Sequence, residues 1–126
     1  MGALPPYADT LGIRAVDEGV ERLYLMPFGD VVLGRPGFLH GGAIAGLLEL
    51  AAIATLLREL DDEAASVKPI NMSVSFMRGG TGQDTFAAAT IARLGGRVAN
   101  VEAHAWQQDR ARPIASAQLN LMVRRA

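Results

Sequence analysis

The feature that most constrains the fold is an apolar segment near the middle of the chain. From Gly41 to about Leu60 the residues Ala, Leu, Ile and Glu dominate and proline is absent, which favours one long helix. A helix on a protein surface would carry a polar face, but this one is apolar almost all the way round. Its strictly apolar part, Ala43 to Leu57, is too short for a membrane span and contains Glu49. We therefore expect a helix that a sheet of the same protein wraps.

The segments on either side of this helix have the composition of strands. Before it, Gly12–Val16 and Val20–Phe28 flank a turn-like Asp17-Glu18-Gly19 and predict a hairpin, followed by a loop from Gly29 to Leu39. After it, glycine pairs and Asp109-Arg110 separate three or four predicted strands: Val67–Met77, Thr85–Leu94, Arg97–Gln107 and Pro113–Arg124.

Alternation within these strands separates two faces of the predicted sheet. One face of the third strand carries Ala99, Val101, Ala103 and Ala105, and the other carries Asn100, Glu102, His104 and Trp106. Small apolar side chains suit close packing against a helix. The expected class is α+β, with a curved antiparallel sheet around one long central helix. We expect His104 and Trp106 to be surface or subunit-contact residues.

Length and composition predict one domain, residues 1–126, that associates with copies of itself. A chain of 126 residues has room for one core, and 50% of its residues are hydrophobic while only 20% are charged. Small apolar chains often bury surface by forming oligomers. An active site would then be built within one small domain or between copies of it.

Charge and residue usage exclude several function classes. The formal net charge of −1 gives no electrostatic reason to expect nucleic acid or a membrane as partner. The absence of cysteine excludes disulfides and thiolate chemistry, and two histidines argue against a histidine-rich metal site. Residues Met1 to Asp9 lack the pattern of a signal peptide, so a cytoplasmic location is expected.

Glu49 is the first candidate for chemistry, because no polar stripe of the helix accompanies it. Its neighbours within about a turn on the same face are Ala45, Gly46, Ala52, Ile53 and Leu56. A carboxylate in apolar surroundings suits a general base or a nucleophile. The alternative is that Glu49 reaches solvent at the sheet edge or pairs with an arginine of a neighbouring subunit.

The start of the helix supplies a second candidate, His40-Gly41-Gly42. Free backbone N–H groups at a helix N-terminus can polarise a carbonyl and stabilise an oxyanion, although the same residues also suit a simple capped turn. Gly41 and Glu49 lie about 12 Å apart along the helix, so one chain cannot direct both at a single carbon. Two subunits with antiparallel neighbouring helices would bring the glycine end of one to the glutamate of the other.

Arg78, Arg93 and Arg97 lie near predicted strand ends and could bind the phosphates of coenzyme A. Arginines near turns are also common on solvated surfaces, so this alternative stays open.

Taken together, Gly37-Phe38-Leu39-His40-Gly41-Gly42 and Glu49, nine positions after the histidine, resemble the signature of the PaaI-like hotdog thioesterases. The stretches 72–78 and 94–99 are similar to two strand regions of that family, and the resemblance covers about residues 10 to 124. It implies a hotdog fold and dimers, often tetramers, with active sites between subunits.

The resemblance also implies roles for individual residues. Gly41 N–H would hold the thioester carbonyl, Glu49 of the partner subunit would activate water or attack the acyl carbon, and His40 would shape the site. No metal and no cofactor are expected, with coenzyme A being part of an acyl-CoA or aryl-CoA substrate. The substrate-binding residues predicted around this centre are Gly42, Gly34, Asn71, Ser73, Arg78 and Arg97.

Two positions depart from the family pattern. Gly34 stands where the family usually has Asn or Gln, and Ile53 stands one turn after Glu49, where many members have Ser or Thr. Asn71 or Ser73 are the candidates for the missing polar group. The departures support a second hypothesis, a non-catalytic acyl-CoA-binding hotdog module. A hotdog hydratase is the third hypothesis, ranked last because its histidine and acid normally have a different spacing.

Overall fold

The structure is a computed structural model that describes residues 4–125. A short helix α1 (Pro6–Leu11) precedes the hairpin β1 (Arg14–Glu18) and β2 (Glu21–Met26). The long helix α2 spans Gly41–Leu60, and four strands follow, β3 (Ser66–Phe76), β4 (Thr85–Leu94), β5 (Val98–Trp106) and β6 (Ala115–Arg124). The predicted hairpin and helix are confirmed, and the strand ends differ from the predicted ones by no more than a few residues.

In the described chain, six strands form one antiparallel sheet in the order β1-β2-β4-β5-β6-β3. The strands on either side of α2 in sequence thus share one sheet, which curves around the helix. This is the predicted α+β hotdog architecture, and the prediction is confirmed.

The helix packs against the inner face of the sheet as its alternation predicted. Ala99, Val101, Ala103 and Ala105 of β5 are all buried, and so are nine of the 20 residues of α2. Small side chains on the sheet let α2 approach closely, so its aliphatic residues fill the core. Asp61, in a left-handed conformation at φ 47°, ends the helix and donates its N–H to the Leu57 carbonyl at 3.1 Å.

Two short elements were not predicted, and one residue was placed wrongly. The elements are α1 and the 3-10 helix Asp30–Val32, each of which is too short to show a periodic pattern. Trp106 was predicted as a surface or subunit-contact residue, but it is buried. It packs with Leu23 and Ala88 on the outer face of the sheet, and Arg110 lies over its ring at 4.5 Å.

Arg110 connects the hairpin to the outer face of the sheet. Its guanidinium donates two hydrogen bonds to the Glu21 carboxylate, at 2.7 and 2.8 Å, and its Nε donates to His104 Nε2 at 3.1 Å. Those bonds lower the pKa of Glu21 from its usual value. Burial lowers the pKa of His104, and the charge of Arg110 lowers it further against the opposing effect of Glu21. His104 thus acts in this link as a neutral hydrogen-bond acceptor.

Candidate active site at the start of α2

A tight turn brings the chain to the start of α2. Gly37 has φ +81°, and the Phe38 N–H donates to the Arg35 carbonyl at 2.9 Å. With Pro36 before the glycine, these are the features of a type II turn. The Leu39 N–H then donates to the Gly80 carbonyl at 2.9 Å. These bonds hold the peptide that leads into His40.

The first turn of α2 leaves one backbone donor free. His40 Nδ1 accepts the Gly42 N–H at 2.8 Å, and the His40 carbonyl accepts the N–H groups of Ala43 and Ile44 at 3.0 and 3.2 Å. Within residues 4–125, no group accepts the Gly41 N–H. His40 therefore caps the helix, as one of the two interpretations of His40-Gly41-Gly42 predicted. The cap leaves the Gly41 N–H at the positive end of the helix, available to an external acceptor.

Glu49 lies on the one stripe of α2 that the sheet does not cover. Gly42 is exposed, and Ala45, Glu49 and Ile53 are each partly exposed, whereas the residues on the other faces in this stretch are mostly buried. In the part of the chain that the structure describes, no residue makes a hydrogen bond or ion pair with the Glu49 carboxylate. Glu49 thus reaches solvent in a single protomer, as the alternative interpretation had it, and is free to act on a molecule beside the helix.

A single protomer does not bring Gly41 and Glu49 together. Both lie on the uninterrupted helix α2, so the separation of about 12 Å expected along its axis remains. Within one protomer the two groups are therefore too far apart to act on the same carbon, which is the reason an intersubunit site was predicted.

Asn71 and Ser73 lie on the opposite side of the sheet from α2. The pairing of β3 with β6 shifts register between Pro69 and Asn71, so Met72 and Val74 point to the core while Asn71 and Ser73 point outward. Asn71 Oδ1 accepts a hydrogen bond from Asn120 at 2.8 Å, and Asn120 accepts one from Asn100. The structure thus does not bring Asn71 or Ser73 to the Gly41 end of α2, and their proposed polar role there has no geometric support.

Gly34 sits tightly against the residue that caps the helix. A Cβ added at Gly34 would lie 3.0 Å from His40 Cα and 3.2 Å from His40 N. A side chain here would require the turn to move away from His40. The backbone packs so closely here that a glycine fits where a larger side chain would not. No sequence pattern reveals this packing.

Arg78 and Arg97 lie at opposite ends of β3. Arg78 follows the end of the strand and donates to the Pro113 carbonyl at 2.9 Å, beside a cavity of about 480 Å³. Arg97 lies where β6 ends and β3 begins, since its carbonyl accepts the Val123 N–H and Val123 pairs with Val67. It lines a separate cavity of about 540 Å³ with Arg124 and Arg125. A single protomer does not bring the two predicted phosphate ligands together.

Metal-ligating side chains do not cluster in residues 4–125: no group of three or more His, Asp and Glu side chains is placed to hold an ion. None of the helices in that range is long and apolar enough to cross a membrane.

Comparison with known proteins places the chain in a family. The family model described as the thioesterase superfamily matches residues 36–114, more than half of the chain. A sequence search of curated proteins gives no match. A Chromobacterium violaceum protein of known structure is 33% identical, with a TM-score of 0.76, and the match covers 93% of this chain and 82% of that one.

Two further structures share the fold at lower identity. A Bacillus halodurans protein crystallised with CoA superposes with a TM-score of 0.86 at 22% identity, over 97% of this chain and 80% of that one. A phenylacetic acid degradation-related protein of Ralstonia eutropha gives a TM-score of 0.82 at 24% identity, over 95% and 91%. The resemblance to hotdog thioesterases is thus confirmed in fold and superfamily, and the chain belongs to the thioesterase superfamily.

Proposed function

We propose that this protein hydrolyses acyl-CoA or aryl-CoA thioesters in a site shared by two subunits. The observation that carries the proposal is the unsatisfied Gly41 N–H at the N-terminus of α2, on the same helix as the uncovered Glu49 carboxylate. An oriented donor and a nearby carboxylate are the two groups that thioester hydrolysis needs. Membership of the thioesterase superfamily supports the same reaction class.

The free edge of β3 supports a partner that completes the site. In the described chain β3 pairs only with β6, and its segment 71–76 contains neither proline nor a charged residue. Antiparallel pairing of this segment with its counterpart in a second copy would extend the sheet across a two-fold axis. The two α2 helices would then lie side by side in opposite directions. That arrangement directs Glu49 of the partner subunit toward Gly41.

In this site the Gly41 N–H donates to the thioester carbonyl oxygen and stabilises the negative charge that develops on it. Such a donor contributes roughly 10² to 10³ in kcat. Glu49 of the partner subunit either removes a proton from the attacking water or attacks the acyl carbon itself, to form an anhydride that water then cleaves. The products are a carboxylate and the free thiol of coenzyme A. His40 keeps the Gly41 peptide oriented, because its cap occupies the neighbouring Gly42 N–H.

The same two-fold arrangement would bring Arg78 of one subunit near Arg97 of the other. Arg78 at the end of β3 would lie toward the start of the partner's β3, where the partner contributes Arg97. The two guanidinium groups would bind phosphates of the coenzyme A part of the substrate. A Bacillus halodurans protein of the same fold was crystallised with CoA, which supports coenzyme A as part of the ligand. The proposed reaction uses no metal ion and no cofactor beyond the substrate.

The test is thiol release from phenylacetyl-, benzoyl- and medium-chain acyl-CoA by the wild type, Glu49→Gln and Glu59→Gln. Glu59 is an exposed glutamate of the same helix, so its variant is a matched control. We expect Glu49→Gln to lose at least about 100-fold in kcat while Glu59→Gln keeps full activity. Undiminished turnover by Glu49→Gln would contradict the proposal.

A non-catalytic acyl-CoA-binding module is the second candidate, because Gly34 offers no side chain to position a carbonyl or a water molecule and Ile53 is apolar. Under this alternative all three proteins bind acyl-CoA with equal affinity in calorimetry and none releases thiol.

A further inference from the structure

The contacts of Phe76 within one protomer do not explain why a large aromatic residue stands at this position. It is the last residue of β3, on the inner face after Met72 and Val74, yet 55% of its surface is exposed. Met72 and Val74, by contrast, pack against the core. A large apolar ring left half in solvent contributes little to the stability of one protomer.

The ring lies beside Gly41, the residue that carries the free backbone donor. A Cβ built on Gly41 would be 3.5 Å from Phe76 Cζ and 3.6 Å from Phe76 Cε1. A carbonyl oxygen bound to the Gly41 N–H therefore has the edge of this ring as a close neighbour. The acyl substituent starts one bond from that carbonyl, so an apolar substituent can remain in contact with the ring.

The uncovered stripe of α2 has the same apolar character around its carboxylate. Ala45 and Ile53 flank Glu49, and neither offers a hydrogen bond to a ligand. In a two-fold dimer the stripe of the partner subunit lies opposite Phe76. Polar groups on the acyl part of a substrate would find no partner among these side chains, which costs binding free energy.

We propose that Phe76 is a specificity-determining residue that forms one wall of the acyl pocket and selects bulky apolar acyl groups over small ones. This rests on the proposed thioesterase function. The ring contributes through contact with the acyl group alone, so it discriminates between acyl groups that share the same coenzyme A part.

The test compares kcat/KM for phenylacetyl-CoA and acetyl-CoA in the wild type, Phe76→Ala, Phe76→Leu and Phe28→Ala. Phe28, another partly exposed phenylalanine, lies beside Gly82 and is the matched control. We expect Phe76→Ala to lose about 10-fold on phenylacetyl-CoA and less than about 2-fold on acetyl-CoA. Phe76→Leu should fall between these values, and Phe28→Ala should leave the ratio unchanged.

Equal losses on both substrates, or no change on either, would overturn the inference. Sedimentation velocity on each variant checks that the oligomer is intact, and Phe76→Leu retains enough apolar volume to serve if Phe76→Ala does not assemble. If the wild type hydrolyses neither these two substrates nor benzoyl- and medium-chain acyl-CoA, the proposed function fails. Calorimetry then tests separately whether Phe76 contacts the acyl group. Phe76→Ala must raise the dissociation constant for phenylacetyl-CoA about 10-fold more than that for free coenzyme A. An equal rise for both ligands would overturn the inference.

Discussion

The two edges of the sheet are built differently. β1 is a short strand with charged residues at Arg14, Asp17 and Glu18, and Asp17 accepts a hydrogen bond from Arg22 at 2.7 Å. β3 is twice as long, and only its first half carries a lysine, a proline and a register shift. Short length and charge protect a strand from pairing with another chain. The edge of β1 is thus blunted, and the second half of β3 is left open.

The difference shows where function depends on a second copy. The open segment of β3 ends at Phe76, next to Gly41, whereas the blunted edge belongs to the hairpin that Glu21 and Arg110 join to β5. We infer that the β3 side supplies the site and the β1 side supplies stability. The following experiments test this division, beginning with the largest expected effect.

Mixing two inactive variants tests whether the site spans two subunits. Gly41→Pro removes the backbone N–H at the first helical position, where proline is tolerated, and the extended His40 (φ −71°, ψ 134°) accepts a following proline. We expect a loss of roughly 10² to 10³ in kcat. Gly41→Ala, which keeps the N–H, should remain active because its Cβ makes only ordinary contact with Phe76 at 3.5 Å.

Thiol release after subunit exchange between Gly41→Pro and Glu49→Gln should then recover to about a quarter of the wild-type rate. At random exchange half of the dimers are hybrids, and each hybrid has one intact site of two. Failure to recover, with hybrids present by native mass spectrometry, would place both groups of the site in one chain.

Charges placed on the two edges test which of them pairs. Ser73→Glu and Ser75→Glu together would set like charges across the proposed two-fold axis, and we expect the dimer dissociation constant to rise about 10-fold. Ala15→Glu, an exposed position on β1, is the matched control and should not change it. Analytical ultracentrifugation over a dilution series measures both. Weakening by Ala15→Glu instead would assign the interface to the β1 edge.

Lowering the pH should reduce the stability that His104 provides where the β1–β2 hairpin is joined to the outer face of the sheet. Because burial and Arg110 lower the pKa of His104, the unfolded chain takes up a proton first as the pH falls. The contribution of His104 to stability is therefore complete above about pH 6.5 and decreases as the pH falls below it. We expect the Tm to fall by roughly 2 to 4 °C more between pH 7.5 and 5.5 in the wild type than in His104→Gln. Identical pH profiles of the two proteins would show that His104 does not contribute.

Much of the fold could be predicted because its signals are local. The span of α2, the hairpin and the inner row of alanines on β5 followed from periodicity and turn residues, and the structure confirms them. The candidate site was predicted only in part. His40, Gly41 and Glu49 were identified from their places on the predicted helix, but the sequence does not show that capping by His40 leaves the Gly41 N–H as the free donor. Phe76 was not identified, because nothing in its own strand distinguishes it from an ordinary inward-facing residue.

The sequence by itself determined the elements, their order and the residues able to do chemistry, since helix and strand periods and capping preferences act over a few positions. Only the tertiary structure decided which of those residues share a face. The register shift at Pro69 turns Asn71 and Ser73 away from α2, since one extra residue in a strand exchanges the two faces beyond it. Contacts between distant segments, such as Gly34 with His40 and Phe76 with Gly41, likewise arise from packing that no local pattern encodes.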